Sequence, residues 1–315
     1  VEKKAAWFRC LQFELVKTVM KLYTTTQYGM CRAVQAYFNN AVSDLKVTKY
    51  ADGETLICLD SEPSAAESVV VLQAMAAPVN DSLVHTLFIL ETLRKACVNN
   101  VILIMTYLAY SRQDRQTCPL SVATASTVCR LLSFSNVSRA YVVEAHSPNI
   151  TSFFSVPSFE ISLSAVVCNH VSKTQNLQDV VVVALDQGGV SRASRVALTL
   201  GVPMISAVKY RSEDGVSVDF HNVEVSGKIG IIVDDIVDSG RSIASASAAL
   251  TQSYGMKCVL AYCVHAATSE TDASGVKVFV SNSTGKVVAA ALDLNYVVSR
   301  LLKRVLALRC HRELL

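Results

Sequence analysis

The chain has 315 residues, of which 51% are hydrophobic and 17% are charged. That composition excludes a disordered chain, because disordered chains lack the apolar surface that offsets the entropy cost of ordering. The 29 basic and 26 acidic residues leave a net charge of +3, too small for binding nucleic acid by bulk charge, so we expect no nucleic-acid partner.

The sequence also argues against a membrane span and a disulfide framework. Its most apolar stretch, residues 101–111, is far shorter than the roughly 20 residues that cross a bilayer, so we expect no membrane partner. The 10 cysteines are scattered, without a C-x-x-C pair or the Cys/His clusters typical of zinc sites. A reducing compartment is therefore favoured, and we expect a cytoplasmic protein, with an organelle left open.

Short apolar runs rich in β-branched residues alternate with helical patterns, which is typical of parallel sheets flanked by helices. The predicted strands are 68–73, 101–105 and 141–143, then 179–185, 205–208, 229–233, 258–264 and 276–280. The predicted helices include one over 83–93 capped by Asn80, Asp81 or Ser82, one opened by Pro119, and two at 190–200 and 240–253. Two successive β-α-β sets predict an α/β protein with two similarly built halves.

Apolar residues at helical spacing occur near both ends of the chain, including Leu15 and Val19 at one end and Leu301 and Val305 at the other. We therefore divide the chain into four parts. These are an N-terminal helical extension (1–22), a first α/β domain (23–165), a second α/β domain (166–292) and a C-terminal helix (293–315).

Residues 230–243 (GIIVDDIVDSGRSI) carry the most chemical information. A buried strand is predicted to end in the carboxylates of Asp234 and Asp235, and a Gly-containing loop then leads into a helix. Backbone N–H groups at such a loop and helix N-terminus form a cradle for an anion such as phosphate. Carboxylates repel phosphate unless they have another target, and ribose hydroxyls or a divalent cation are such targets.

This segment resembles the phosphoribosyl pyrophosphate loop, and the chain from about residue 22 to 304 resembles ribose-phosphate pyrophosphokinases. Five further segments are similar to family motifs in the family's order: residues 50–55 (YADGET), 107–115 (YLAYSRQDR), 144–146 (EAH), 185–192 (LDQGGVSR) and 209–211 (KYR). The resemblance implies two tandem phosphoribosyltransferase-like domains, the first on the ATP side and the second on the ribose 5-phosphate side.

The implied reaction moves the diphosphoryl group of ATP to the 1-hydroxyl of ribose 5-phosphate and releases AMP. The resemblance implies catalytic cations at Lys209 and Arg211 and Mg²⁺ ligands at His146 and Asp186. It implies ATP-binding residues Tyr50, Asp52, Glu54, Arg112, Gln113 and Arg115, the first three acting on a neighbouring subunit of a homo-oligomer. It implies ribose 5-phosphate-binding residues Asp234, Asp235, Asp238, Ser239, Gly240, Arg241 and Ser242.

The chain departs from the family pattern at several positions. Ser191 stands where the family usually has Lys, Leu185 where it has Pro, and Glu144 where it has Asp. The first departure removes a cation from a site that handles a densely anionic substrate. The leading alternative is therefore a catalytically weak, regulatory homologue. A phosphoribosyltransferase and a nonenzymatic nucleotide-binding regulator stay open as further alternatives.

Overall fold

The structure is a computed structural model that describes residues 20–25, 45–64, 68–212, 215–220, 224–267, 276–284 and 291–292. The described residues form two compact units, one extending to Ile161 and the other starting at Ser162. The C-terminal helix predicted at 293–315 and most of the helix predicted at 1–22 lie outside the described residues. No helix in the described ranges is both long enough and apolar enough to cross a membrane.

The first unit contains a five-stranded parallel sheet of order β1-β4-β5-β6-β7. Its strands are β1 (Met20–Tyr23), β4 (Ser68–Ala74), β5 (Asn100–Tyr107), β6 (Val137–Val143) and β7 (Ser158–Ile161). An antiparallel hairpin of β2 (Leu45–Lys49) and β3 (Thr55–Leu59) stands apart from that sheet. The helices are α1 (Val79–Lys95), α2 (Thr124–Phe134) and the short α3 (Asn149–Ser152).

The second unit contains a six-stranded parallel sheet of order β15-β14-β13-β12-β8-β9. Its strands are β8 (Val180–Ala184), β9 (Met204–Ser206), β12 (Ile229–Val237), β13 (Cys258–Ala266), β14 (Lys277–Ser281) and β15 (Ala291–Leu292). A separate antiparallel hairpin joins β10 (Val208–Ser212) to β11 (Gly215–Asp219). The helices are α4 (Ser164–Thr174), α5 (Val190–Leu200) and α6 (Arg241–Gln252).

Burial on both faces of the second sheet explains its continuous apolar strands. Along β8, Val181 and Val183 pack into one core cluster, whereas Val180, Val182 and Ala184 pack into the other. Successive residues of a strand point to opposite faces, so both faces of this strand are covered. The predicted α/β architecture of two mostly parallel sheets flanked by helices is confirmed.

The prediction that a helix extends through residue 22 is wrong for residues 20–22. Met20, Lys21 and Leu22 pair in parallel with Ser68, Val69 and Val70. The side chain of Leu22 is only 1% exposed. Burial against a neighbouring strand overrides the helical spacing of the apolar residues here.

The predicted cap of α1 is also wrong, because the helix begins at Val79, before all three candidate residues. Their side chains bind other partners. Asp81 pairs with Lys49 at 2.9 Å, and the hydroxyl of Ser82 donates to the carbonyl of Ala76 at 2.8 Å. The amide oxygen of Asn80 accepts a hydrogen bond from the hydroxyl of Tyr110.

The prediction that Pro119 opens a helix is wrong, since α2 begins at Thr124. Gln113 fixes this start from the preceding loop. Its backbone carbonyl accepts from the amide of Ala125 at 3.1 Å, and its side-chain oxygen accepts from the hydroxyl of Thr124 at 2.7 Å. These bonds satisfy groups of the first turn, which have no partner within the helix itself.

Candidate active site

The acidic pair lies within β12 and not after it, which corrects the predicted end of this strand at residue 233. Pairing of β12 with β8 stops at Ile232, whereas pairing with β13 continues to Val237. The last five residues of β12 therefore extend beyond β8, and Asp234 and Asp235 lie in that extension. In open parallel sheets, ligands bind outside the carboxyl ends of the strands, which is where this extension lies.

A buried arginine contacts both carboxylates. Nη1 of Arg192 lies 3.7 Å from Oδ1 of Asp234 and 3.5 Å from Oδ1 of Asp235. Arg192 is in the first turn of α5, and its side chain is only 6% exposed. No role was predicted for Arg192 from the sequence. A signal was present, because Arg192 lies one helical turn from Val196 on the apolar side of α5, where a cation needs a buried partner.

The electrostatics of the pair favour protonation of one carboxyl group. Burial, and next the charge and hydrogen bonding of Asp235, raise the pKa of Asp234 from 3.8 to about 7. Arg192 opposes this shift, and so does the amide of Asp235, which donates to Oδ1 of Asp234 at 2.9 Å. Burial also raises the pKa of Cys263, the residue paired with Asp234 on β13, so the thiol is neutral.

The segment 238–242 connects the acidic pair to α6. Gly240 has a φ of 77°, in the left-handed region that favours glycine, and Arg241 begins the helix. The residue at the N-cap of α6 is this glycine, which has no side chain to cap the helix. Nε of Arg241 donates to the hydroxyl of Ser239 at 3.2 Å, which directs the Arg241 side chain back toward the loop. An uncapped helix N-terminus offers its first backbone N–H groups to an anion.

Asp186 follows β8, the neighbour of β12 in the sheet. Its Oδ1 atom accepts from the amide of Gly189 at 3.0 Å, which closes a tight turn before α5. A Cβ atom at Gly189 would lie 3.9 Å from the carbonyl oxygen of Val233. The turn therefore lies against β12 directly before the acidic pair. Asp186, the acidic pair and the segment 238–242 are thus all at one end of the second sheet.

Asp186 and His146 are the predicted metal ligands. The Asp186 side chain is exposed, while His146 follows β6 in the first unit. In the described part of the chain, no three His, Cys, Asp or Glu residues come together as a metal site. The exposed carboxylate of Asp186 nevertheless fits Mg²⁺, which usually takes one or two carboxylates and keeps several waters.

The predicted catalytic cations lie on the β10–β11 hairpin. Lys209 pairs with Val218 across the hairpin, and Arg211 pairs with Val216. Their backbone therefore belongs to a two-stranded element separate from the six-stranded sheet. The roles of both side chains stay predictions.

The predicted ATP-binding residues belong to the first unit. Tyr50, Asp52 and Glu54 form the turn of the β2–β3 hairpin, where the amide of Glu54 donates to Oδ1 of Asp52 at 3.0 Å. The side chain of Tyr50 is about half exposed. Both the backbone amide and the carbonyl of Tyr50 bond within the turn. This hairpin is tied to α1 by the Lys49–Asp81 ion pair.

Arg112, Gln113 and Arg115 lie in the loop that follows β5, at the carboxyl end of that strand. The side chains of all three are exposed. The side-chain oxygen of Gln113 accepts a hydrogen bond from the hydroxyl of Thr124. The loop is therefore anchored on the N-terminus of α2, with the arginines on either side of the anchor.

The fold and the acidic pair before an uncapped helix define a phosphoribosyltransferase-type α/β protein. A model of the N-terminal domain of ribose phosphate pyrophosphokinase matches residues 20–135, and a phosphoribosyl transferase domain model matches 157–296. Ribose-phosphate pyrophosphokinase of Campylobacter jejuni is 32% identical over 250 residues, which are 78% of this chain and 80% of that protein. The enzyme of Bacillus caldolyticus is 34% identical over 220 residues, 70% of this chain and 69% of that protein.

Among solved structures, the phosphoribosylpyrophosphate synthetase of Mycobacterium smegmatis has the same fold. Its TM-score is 0.81 at 24% sequence identity, with 91% of this chain and 98% of that chain covered. Together with the relatives above, this match confirms the two phosphoribosyltransferase-like domains. The chain belongs to the ribose-phosphate pyrophosphokinase family.

Proposed function

We propose that this chain transfers the diphosphoryl group of ATP to the 1-hydroxyl of ribose 5-phosphate, forming phosphoribosyl pyrophosphate and AMP. One observation carries the proposal for the chain's own residues: an acidic pair at the carboxyl end of β12 is followed by a short loop and a helix N-terminus whose N-cap residue is glycine. A sugar phosphate matches this order of charges, with hydroxyl donors for the carboxylates and an anion for the backbone amides.

The sugar-phosphate site is assigned to the segment from Asp234 to Ser242. The backbone N–H groups of 238–242 bind the 5-phosphate, and the left-handed conformation at Gly240 shapes that turn. Asp234 and Asp235 accept hydrogen bonds from ribose hydroxyls and so orient the sugar. Orientation of the attacking hydroxyl is a large part of catalysis when both reactants are held by the protein.

The nucleotide is assigned to the first unit. Arg112 and Arg115 bind the triphosphate, because guanidinium groups match phosphate oxygens in charge and geometry. Gln113 holds the loop on α2 through its side-chain oxygen, and its amide N–H₂ group can donate to the nucleotide. Tyr50, Asp52 and Glu54 reach the nucleotide of a neighbouring subunit, which requires at least a homodimer. A fully active monomer in sedimentation velocity would contradict this part of the proposal.

Mg²⁺ is the proposed cofactor, with Asp186 and His146 as its protein ligands. Asp186 is the better supported ligand, because it has an exposed carboxylate and Mg²⁺ prefers oxygen. When bound, Mg²⁺ neutralises charge on the phosphate oxygens. Lys209 and Arg211 are the proposed catalytic cations, which offset the charge that develops around the transferred group.

The proposal is tested by incubating the full chain with ATP, Mg²⁺ and ribose 5-phosphate and following AMP release. We expect AMP that depends strictly on the sugar phosphate. Consumption of phosphoribosyl pyrophosphate with a nucleobase would instead identify a phosphoribosyltransferase. Absence of both reactions would favour a regulatory homologue or a nonenzymatic nucleotide-binding regulator.

Ser191 allows the weak-homologue alternative to be tested directly. Ser191 is exposed in the first turn of α5, next to Arg192, at the position where family members usually have Lys. If the missing cation limits the enzyme, Ser191→Lys should raise turnover more than about tenfold, the effect of 1.4 kcal/mol on a barrier. An unchanged, high turnover would show that the chain is fully active without it.

The compartment is proposed to be reducing, and specifically the cytoplasm. All seven cysteines in the described ranges are free thiols. Several of them are buried among apolar side chains, where a thiol acts as a small core residue.

A further inference from the structure

Arg192 is a buried cation next to the two carboxylates assigned to sugar binding, and the reaction proposed above gives it no role. Its side chain is only 6% exposed, so it offers little surface to a ligand. Buried arginines are rare unless they are paired. The side chains that it pairs with, Asp234 and Asp235, are those assigned to the ribose hydroxyls.

The geometry of the pair shows what the arginine does. Adjacent strand residues normally point to opposite faces of a sheet. Here the carboxylates of Asp234 and Asp235 lie within 3.7 Å and 3.5 Å of the same nitrogen atom of Arg192. β8 has already ended beside this part of β12, and the turn after β8 leads directly into the helix that carries Arg192.

Two carboxylates this close repel each other, and burial adds to the cost of ionising both. The groups that face the pair include Arg192 from α5 and the neutral thiol of Cys263 from β13. Of these two, Arg192 carries a positive charge. Without it, one carboxyl group would be protonated more completely at neutral pH, and a protonated carboxyl group is a poorer acceptor for a ribose hydroxyl.

We propose that Arg192 is a positioning residue, whose guanidinium group favours the ionised forms of Asp234 and Asp235 and holds the two carboxylates side by side so that both accept hydrogen bonds from ribose 5-phosphate. This inference rests on the proposed function of the acidic pair. It assigns Arg192 to sugar binding and not to the diphosphoryl transfer step. It also assigns a role to an arginine that contacts no substrate itself.

The test compares Arg192→Met, Arg192→Lys and the control Lys228→Met in the full chain. Met keeps the aliphatic length of Arg without its charge. Lys228 directly precedes β12, so its replacement removes a cation from the opposite end of the same strand. For each variant, KM values for ribose 5-phosphate and for ATP are measured at pH 7 and pH 9, with thermal unfolding as the check on folding.

We expect Arg192→Met to raise the KM for ribose 5-phosphate about tenfold at pH 7, since loss of a neighbouring opposite charge shifts a carboxyl pKa by about one unit or more. The KM for ATP should change less than about twofold. The sugar-phosphate defect should shrink at pH 9, because the pair ionises again. Arg192→Lys should recover most of the loss, and Lys228→Met should match the unmodified chain.

A folded Arg192→Met variant with an unchanged KM for ribose 5-phosphate would overturn the inference. So would equal rises in both KM values, a defect that does not depend on pH, or a Lys variant no better than Met. If Arg192→Met does not fold, Arg192→Lys decides by itself. Its shorter side chain should still raise the KM for ribose 5-phosphate a few-fold at pH 7, and an unchanged value would contradict the inference.

Calorimetry with ribose 5-phosphate, Mg²⁺ and a nonhydrolysable ATP analogue separates the two proposals. Binding of the sugar phosphate without turnover by the unmodified chain would refute the proposed reaction only. The same variants then test Arg192 through the dissociation constant. Absence of binding would refute both the site assignment and the inference.

Discussion

Asp234→Asn should stabilise the folded chain while damaging its use of ribose 5-phosphate. The pKa of Asp234 is raised from 3.8 to about 7, chiefly by burial and then by Asp235. One pKa unit corresponds to about 1.4 kcal/mol, so the ionised carboxylate costs the folded state at most about 4 kcal/mol above pH 7. The side chain is 26% exposed and its surroundings relax, which lowers the cost. We therefore expect Asp234→Asn to raise the free energy of unfolding by about 1–3 kcal/mol.

The pH dependence of this gain follows from the direction of the shift. In the unfolded chain the carboxyl group loses its proton near 3.8, whereas in the folded chain it keeps the proton until about pH 7. Below the lower value both states are protonated and the penalty is absent. The penalty grows between the two values and is complete above the higher one. The advantage of Asn should therefore be largest at pH 8 and clearly smaller at pH 5.

Thermal unfolding at pH 8 and pH 5 measures this difference, with roughly 2–4 °C expected per kcal/mol for a chain of this size. Asp60→Asn is the control, because Asp60 is an exposed carboxylate in the other unit. The KM for ribose 5-phosphate is measured in parallel and should rise. The reasoning would be refuted if Asp234→Asn unfolded at a lower temperature than the unmodified chain at pH 8. It would also be refuted if the unfolding temperature rose by the same amount at both pH values.

Three other substitutions test separate parts of the site. Lys209→Ala should lower turnover by about two orders of magnitude or more and leave ATP affinity within a few-fold, because a cation that acts on the transition state affects kcat and not ground-state binding; equal losses in both would contradict its role. Gly240→Ala should lower the free energy of unfolding by about 1–2 kcal/mol, the cost of a left-handed non-glycine residue. It should also raise the KM for ribose 5-phosphate. Thermal unfolding measures the first effect and steady-state kinetics the second. Thr124→Val removes the hydroxyl that bonds Gln113 and should raise the KM for ATP a few-fold, with the KM for ribose 5-phosphate as the control.

The sequence predicted the elements whose patterns reflect local structure and complete burial. The bounds 190–200 were predicted for α5 and are observed, because Gly201 ends the helix in a left-handed conformation with its amide bonded to Ala197. Strands β4, β5 and β8 are buried on both faces, so their unbroken apolar runs were unambiguous.

The sequence could not predict features that depend on pairing between distant segments. Charged residues usually end a strand, so Asp234 and Asp235 indicated a loop. Pairing with β13 instead keeps them extended as far as Val237. The start of α2 depends on Gln113, and the ion pair of Arg192 depends on the packing of α5 beside β12. The position of Arg192 on the apolar side of α5 indicates a buried cation, but no local window of sequence identifies the partners in these contacts.

The two ends of β12 have different roles: residues near its start contribute to packing, and residues near its end form the candidate site. Near its start, a Cβ atom at Gly230 would lie only 2.8 Å from Sδ of Met256 and 3.3 Å from Val259, so packing there is already tight. Near its end, the same strand carries two carboxylates whose ionised forms the fold disfavours, and a buried arginine and the amide of Asp235 offset part of that cost. Substitutions that stabilise this unit should therefore be found at the carboxyl end of β12, and they should impair binding of the sugar phosphate. Destabilised polar groups persist in proteins where function requires them, and this placement is itself an argument that the acidic pair is part of the active site.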